Sequence, residues 1–312
     1  MITIEKISDP VEWEKIVSKS EQYSLFCSSK FLSGFSCPYE LFIIKDNQNI
    51  KMAALVFLKS KNLEKHYMQD FNYNQGFYFF DKDLIERKRN HERNKLLTFF
   101  LEFITKKSNE FRFSLHYSLK DIRAFQWFEY PKKPFELNMV YSSVVDLKKF
   151  KNFEEFLKST RYERRRELKN FQETNLKIAQ TKDVEKFINF YKILIPQVGK
   201  PLYDTHLKVI RNSSKNLFSR INFLLDEDKI IAATLFYFHK NSSYYAFSAS
   251  DPKYKKKFSS TVPLILEQIK YALKNKIKNV DFLGVNSPNR GDFKESFGGD
   301  LISFNEIVYK KK

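Results

Sequence analysis

Residues 41–59, LFIIKDNQNIKMAALVFLK, and residues 222–240, NFLLDEDKIIAATLFYFHK, share one pattern: an apolar run, a short polar turn and a second apolar run. Two apolar runs split by an Asp/Asn-rich turn are the signature of a β-hairpin. The pairs Ala53-Ala54 and Ala232-Ala233 stand at matching places in the second run. The flanks repeat as well. Helical sequence precedes each hairpin, beginning near Pro10 in the first half and near Asp183 in the second. After the first hairpin come an aromatic strand (Gly76–Phe80), a long helix around Asp83–Lys107 and a strand at 111–117. After the second come a strand (Tyr244–Ser250), a helix around Ser260–Lys274 and a strand at 279–285. Two copies of helix, hairpin, strand, helix, strand, about 180 residues apart, predict a duplicated α/β lobe.

The length of 312 residues suits two such lobes. The join is expected near residues 130–150, where PKKP (131–134) punctuates the first half. A strand at Leu137–Leu147 then leads into a helix beginning near Asn152, which gives lobes of 1–145 and 146–312. That helix is expected to run through 153–171, with Phe153, Phe156, Leu157 and Leu168 at helical spacing.

Several chemistries find no motif. There is no G-x-S-x-G elbow, no P-loop and no G-x-G-x-x-G, which argues against hydrolase, NTPase and dinucleotide readings. The five histidines are scattered without metal-ligand spacing, so no metal site is expected. Cys27 and Cys37 match no zinc or disulfide framework and read as packing residues. No run reaches the length of a membrane helix and the first residues lack a signal-peptide core, so a cytoplasmic chain without a transmembrane segment is expected.

Fifty-five Lys and Arg against 37 Asp and Glu leave a net charge of +18, which suits an anionic partner. The same excess also arises from an AT-rich genome that loads a chain with lysine. Two places concentrate it. Arg161, Arg164, Arg165, Arg166 and Lys169 fall on the expected helix, with Arg161, Arg165 and Lys169 on one face; such spacing suits phosphate recognition, and a solvated flank is the alternative. The loop ahead of the 260–274 helix offers Lys255, Lys256 and Lys257, then Ser259, Ser260 and Thr261 as helix-capping hydroxyls, with Pro263 suited to the first turn. A helix start so equipped can hold an anion.

Three stretches carry a resemblance to a known family. Residues 142–171 resemble the entry to the second lobe of Fem peptidyltransferases in the GNAT superfamily. Residues 280–299, VDFLGVNSPNRGDFKESFGG, are similar to the family's C-terminal signature, a strand ending Asp-Phe-x-Gly followed by a loop and a Phe-Lys-x-x-Phe-Gly helix. The N-terminal segment, with Trp13 and the turn Ser29–Leu32, also fits. The resemblance implies two tandem GNAT-like lobes, each a mixed, mostly antiparallel sheet flanked by helices. It also implies direct acyl transfer to an amine, catalysed in the second lobe, with the first a non-catalytic wall for the acceptor. Phe293-Lys294 match the Phe-Lys pair whose lysine is implicated in acyl transfer, and Lys294 is expected to open the short helix and to stabilise the oxyanion. Asp281 is a candidate base or orienter and Tyr245 a candidate proton donor to the leaving group. Phe293, Asn286, Arg290, Trp127, Arg161 and Arg165 are the candidate substrate-binding residues. The family's glycine-rich loop for the coenzyme A pyrophosphate is replaced here by Lys255–Lys257 and the hydroxyls of 259–261.

Two donors stay open. Compact length and the basic loop favour acyl-CoA as co-substrate, with no permanently bound cofactor and the amine of a nucleotide-linked aminosugar as acceptor in surface polysaccharide (O-antigen, capsule) synthesis. The alternative is aminoacyl-tRNA with a peptidoglycan precursor; the long coiled-coil arm common in that branch has no counterpart among heptad runs here. A non-catalytic RNA- or membrane-surface-binding protein is the third reading, and DNA is not an expected partner.

Overall fold

The computed structural model describes residues 1–35, 38–58, 73–197, 199, 202, 204–216, 218–254 and 258–311. Cys37, one of the five histidines (His66) and Lys255–Lys257 lie outside them. The chain divides into two compact units, Met1–Val140 with Ser303–Lys312, and Tyr141–Ile302. The last ten residues, whose docking the sequence leaves open, group with the first unit.

In the first unit β1 (Ile2–Ile7) leads to α1 (Pro10–Val17), where Pro10 sits in the first turn and the Asp9 carboxylate accepts from Val11 N–H at 2.9 Å. A short α2 (Ser29–Leu32) precedes the hairpin of β2 (Tyr39–Asp46) and β3 (Asn49–Leu58). Asn47 and Gln48 take positive φ in its two-residue turn, as strand twist favours. Then come β4 (Phe77–Phe79), α3 (Glu86–Lys107), β5 (Glu110–Ser114) and α4 (Arg123–Trp127). Helix α3 is charged through its first half and buries Leu96, Leu97, Phe100, Leu101 and Ile104 in its second. These pack on Phe42, Phe77 and Phe113 in one core that also takes in Ile307 and Tyr309 from the chain's end. Each such side chain contributes about 1.5–3 kcal/mol by leaving water.

The second unit follows along β6 (Phe135–Asp146), α5 (Phe153–Ser159), α6 (Tyr162–Gln172), β7 (Lys177–Thr181), α7 (Val184–Gln197) and α8 (Asp204–Asn216). Its hairpin is β8 (Phe218–Asp226) and β9 (Lys229–His239), followed by β10 (Ser242–Ser250), α9 (Val262–Lys274), β11 (Asn279–Gly284), α10 (Pro288–Glu295) and β12 (Asp300–Lys310). The sheet of this unit runs β6-β11-β10-β9-β8-β7, all antiparallel except β10 with β11. In the first unit the order is β1-β2-β3-β5, with β4 also on β3 and the end of β12 antiparallel to β5.

The two hairpins share their register. Asp46 faces Asn49 as Asp226 faces Lys229, and both ladders slip by one residue at the same place, between Ile44 and Lys45 and between Leu224 and Leu225. Met52-Ala53 therefore corresponds to Ala232-Ala233, so the alanine pairs read on sequence are offset by one position. A second difference concerns the helix expected through 153–171. It breaks at Thr160–Arg161, both extended, into α5 and α6. Arg161 N–H donates to Ser296 O at 3.0 Å, a tertiary bond that replaces the intrahelical one.

Candidate active site

Strands β10 and β11 pair for three residues, from Ser242–Asn279 to Tyr244–Asp281, and then part. A bulge at Ala246, between Tyr245 and Phe247, bends β10 at that point. On the other side β11 slips against β6 between Asp281 and Gly284, and Leu283 takes a φ of 57° there. Left-handed backbone at a leucine is costly and needs support. Asp281 supplies it: one carboxylate oxygen accepts Leu283 N–H at 2.7 Å and the Ser142 hydroxyl. Burial raises the Asp281 pKa, with Ser142, the Leu283 amide and the Lys294 ammonium acting in the opposite direction.

The wedge between the parted strands opens into a cavity of about 330 Å³ within the second unit, in the range of small-molecule sites. Tyr245, Ser248 and Ser250 of β10 line it, together with Thr261 ahead of α9, Arg290, Phe293 and Lys294 of α10, and Tyr191, Leu194 and Ile195 of α7. Five residues singled out on sequence (Tyr245, Thr261, Arg290, Phe293 and Lys294) thus share one space. Lys294 is 8% exposed, and its ammonium donates to Gly284 O at 2.9 Å and stands 5.8 Å from the centre of the Tyr245 ring. It lies in the last turn of α10, not at the helix start expected from sequence. Burial pushes the Tyr245 phenol up to about 12, against a hydrogen bond with Ser248, so the group stays protonated through the neutral range.

Glycines set the lysine's position. A Cβ on Gly291 would come within 2.3 Å of Val285 O, so only glycine lets α10 lie against the end of β11. Gly298, at a φ of 79°, ends the helix and donates its N–H to Glu295 O at 2.9 Å. Phe293 and Phe297 pack edge-on, and Phe297 stacks on Phe282 of β11.

The remaining sequence candidates have other employment. Asp281 lies behind the cavity and holds the bulge. Asn286 clasps the backbone of Tyr141, accepting its N–H at 2.7 Å and donating to its carbonyl at 3.2 Å. Arg161 pairs with Asp292 at 2.6 Å, and Arg165 donates to Lys158 O and Thr160 O at 2.8 Å each. The helix break also takes Arg161 off the face it was expected to share with Arg165 and Lys169. Trp127, in the first unit, is 60% exposed with the Arg123 guanidinium over its ring at 5.1 Å. Thr261 is the residue before α9, but its hydroxyl caps nothing; Ser260 is buried nearby.

Glu167 was not singled out on sequence. From α6 it reaches the loop ahead of α9, where one oxygen accepts Ser259 N–H at 2.8 Å while the other pairs with Arg164. The Arg164 guanidinium in turn lies 5.1 Å over Phe293. No signal in the sequence joins Glu167 to a residue 92 positions away. The α7 wall was equally silent, because its apolar spacing reads as ordinary core.

Residues 208–305 match the FemAB family. No curated protein sequence matches the chain. Among solved structures, FemX superposes with a TM-score of 0.65 at 12% identity, covering 96% of each chain. A tandem GNAT protein from the clavulanic acid biosynthesis pathway gives 0.60 at 8% identity, covering 100% of this chain and 99% of that one. L-PGS from Bacillus licheniformis gives 0.56 at 12% identity, covering 97% and 92%. At such identities the likeness is one of fold, and it extends over both units. The chain thus has the fold of FemX and of a tandem GNAT protein, and the match to the FemAB family falls on residues 208–305, which include the β10 wall and Lys294.

Proposed function

We propose that the second unit transfers an aminoacyl group from the ester of an aminoacyl-tRNA to an amine, with a peptidoglycan precursor as the acceptor class. One observation carries the choice of donor: the Glu167 carboxylate already occupies Ser259 N–H, at the helix start where a coenzyme diphosphate would need amides. A diphosphate arriving there meets like charge and must displace a made hydrogen bond. Lys255–Lys257, on which the acyl-CoA reading leaned, lie outside the described residues.

In the reaction the amine nitrogen attacks the ester carbonyl carbon, and the C–N bond forms as the carbonyl oxygen takes up negative charge. The Lys294 ammonium, at the cavity wall, stabilises that charge. The C–O bond to the ribose then breaks. Tyr245 gives its proton to the departing oxygen and regains one from the attacking nitrogen, so the net transfer is one proton from amine to alcohol. No covalent enzyme intermediate is needed. Asp281 acts on this chemistry through the bulge that presents Gly284 O to Lys294, as a positioning residue.

A second reading, acyl-CoA with a nucleotide-linked aminosugar, is favoured by the β10 edge beyond Tyr244. Its backbone is no longer paired with β11 there and could receive the amides of an extended pantetheine arm. One experiment decides between them. Labelled aminoacyl-tRNA with a peptidoglycan precursor, and short acyl-CoA donors with aminosugar nucleotides, are assayed side by side on wild type and Lys294→Ala. Label transfer that the variant loses, with no thiol release, is the expected result. Acceptor-dependent thiol release that collapses in the variant would replace the first reading with the second.

A further inference from the structure

The first unit contains a cavity of its own, of about 360 Å³. It is bounded by β4, the charged first half of α3, the stretch after β5, and α4. In chain order β4 and α4 are the counterparts of β10 and α10, which line the Lys294 cavity. The other walls differ: α3 and the stretch after β5 here, α7 in the second unit.

Four cations line it: Arg89, Arg93, Lys120 and Arg123. Asp81 grips Arg93 through two bonds of 2.7 and 2.9 Å, and Phe79 lies under that guanidinium at 4.9 Å. Asp121 holds Arg123 through bonds of 2.9 and 2.7 Å and accepts from Asn94 at 3.2 Å. Both guanidinium planes are therefore fixed before any ligand arrives. Arg89 differs. One terminal nitrogen donates to Leu84 O at 2.9 Å, and the side chain lines the cavity. No carboxylate grips Arg89 or Lys120 among the described residues, so their charge is the part left to a ligand. Counting Glu86 on the wall and both gripping aspartates, the four cations face three carboxylates, so positive charge is left over.

We propose that this cavity is a binding site for a phosphorylated small molecule, its phosphate accepting from Arg89 and Lys120 and its organic part lying along the β4 side. A doubly charged anion with several acceptor oxygens suits an arginine and a lysine that no carboxylate holds among the described residues. The site stands whether or not the second unit is an aminoacyltransferase.

The test is calorimetric titration of the full chain with inorganic pyrophosphate and, separately, with uridine diphosphate. Saturable binding of either probe is expected, weakened about tenfold or more in Arg89→Gln and in Lys120→Glu, as loss of a charge-assisted bond requires. Lys19→Glu, the same charge change on an exposed residue of this unit, should leave it unaltered, as should Lys294→Ala. Tighter binding of uridine diphosphate places the organic part inside the cavity, whereas equal binding makes the phosphates the recognised group. Lack of saturation with both probes overturns the proposal, and so does an equal loss in Lys19→Glu. Should Arg89→Gln fail to fold by circular dichroism, Lys120→Glu decides, being exposed.

Discussion

Lys294 on α10, Tyr245 on β10 and Asp281 on β11 make separable predictions. Lys294→Ala should lower turnover about 10²–10³-fold, the cost of one oxyanion donor. Its circular dichroism should stay that of wild type. Tyr245→Phe should lower turnover about 10²-fold, and because burial pushes this phenol up to about 12, the wild-type pH profile below pH 10 should show no limb that the variant lacks. Asp281 is argued through linkage. Burial raises its folded pKa above the ordinary 3.8, so above that value the folded chain holds a proton the unfolded chain has lost. Stability from this group therefore falls as pH rises through that window. Asp281→Asn keeps the oxygen that accepts Ser142 and Leu283 and removes the charge, so its melting temperature should match wild type in acid and exceed it at neutral pH. A constant offset at all pH values would contradict the buried-charge account. Sequence showed Lys294 and Phe293 because they fall in a contiguous motif. It could not show that Asp281 points back into the strand, because that follows from a left-handed Leu283 which no residue type announces.

At the scale of elements, the wedge depends on where α10 lies, and Gly291 decides that. Gly291→Ala must push the helix from Val285 O and carry Lys294 with it. A loss of about 1–3 kcal/mol in stability is expected from overpacking, with activity falling much further than stability alone explains. Denaturant titration beside a rate measurement separates the two. The loop ahead of α9 gives a second handle. Glu167→Gln should free Ser259 N–H of negative charge and raise affinity for coenzyme A, read as quenching of intrinsic fluorescence; unchanged affinity would show that Glu167 does not guard the helix start. The strands, the hairpins and the long helices were legible because their periodicities are local. The break at Thr160–Arg161 was not, as no proline or glycine marks it and the bond that makes it reaches from Arg161 to Ser296.

For the whole molecule, duplication was the most legible property, and the structure extends it beyond what sequence offered. β1 pairs with β2 as β7 pairs with β8, and the short helices α4 and α10 occupy equivalent places in chain order. Each unit has its own core, so stability should be separable. Ile307 is fully buried in the first unit's core although it lies near the chain's end. Ile307→Ala should cost about 2–5 kcal/mol, and amide exchange should report the loss in β2, β3 and β5 while β8 and β9 keep their protection. Uniform loss of protection would instead show that the two units unfold as one.

The placement of Ser303–Lys312 also bears on how the protein is made. During synthesis the first unit emerges well ahead of the strand that completes its sheet, and β5 waits with an unpaired edge while the whole second unit is translated. The usual N-to-C order of domain folding is thereby inverted. The second unit is complete in sequence at Ile302, and the first closes only once the residues beyond it have emerged.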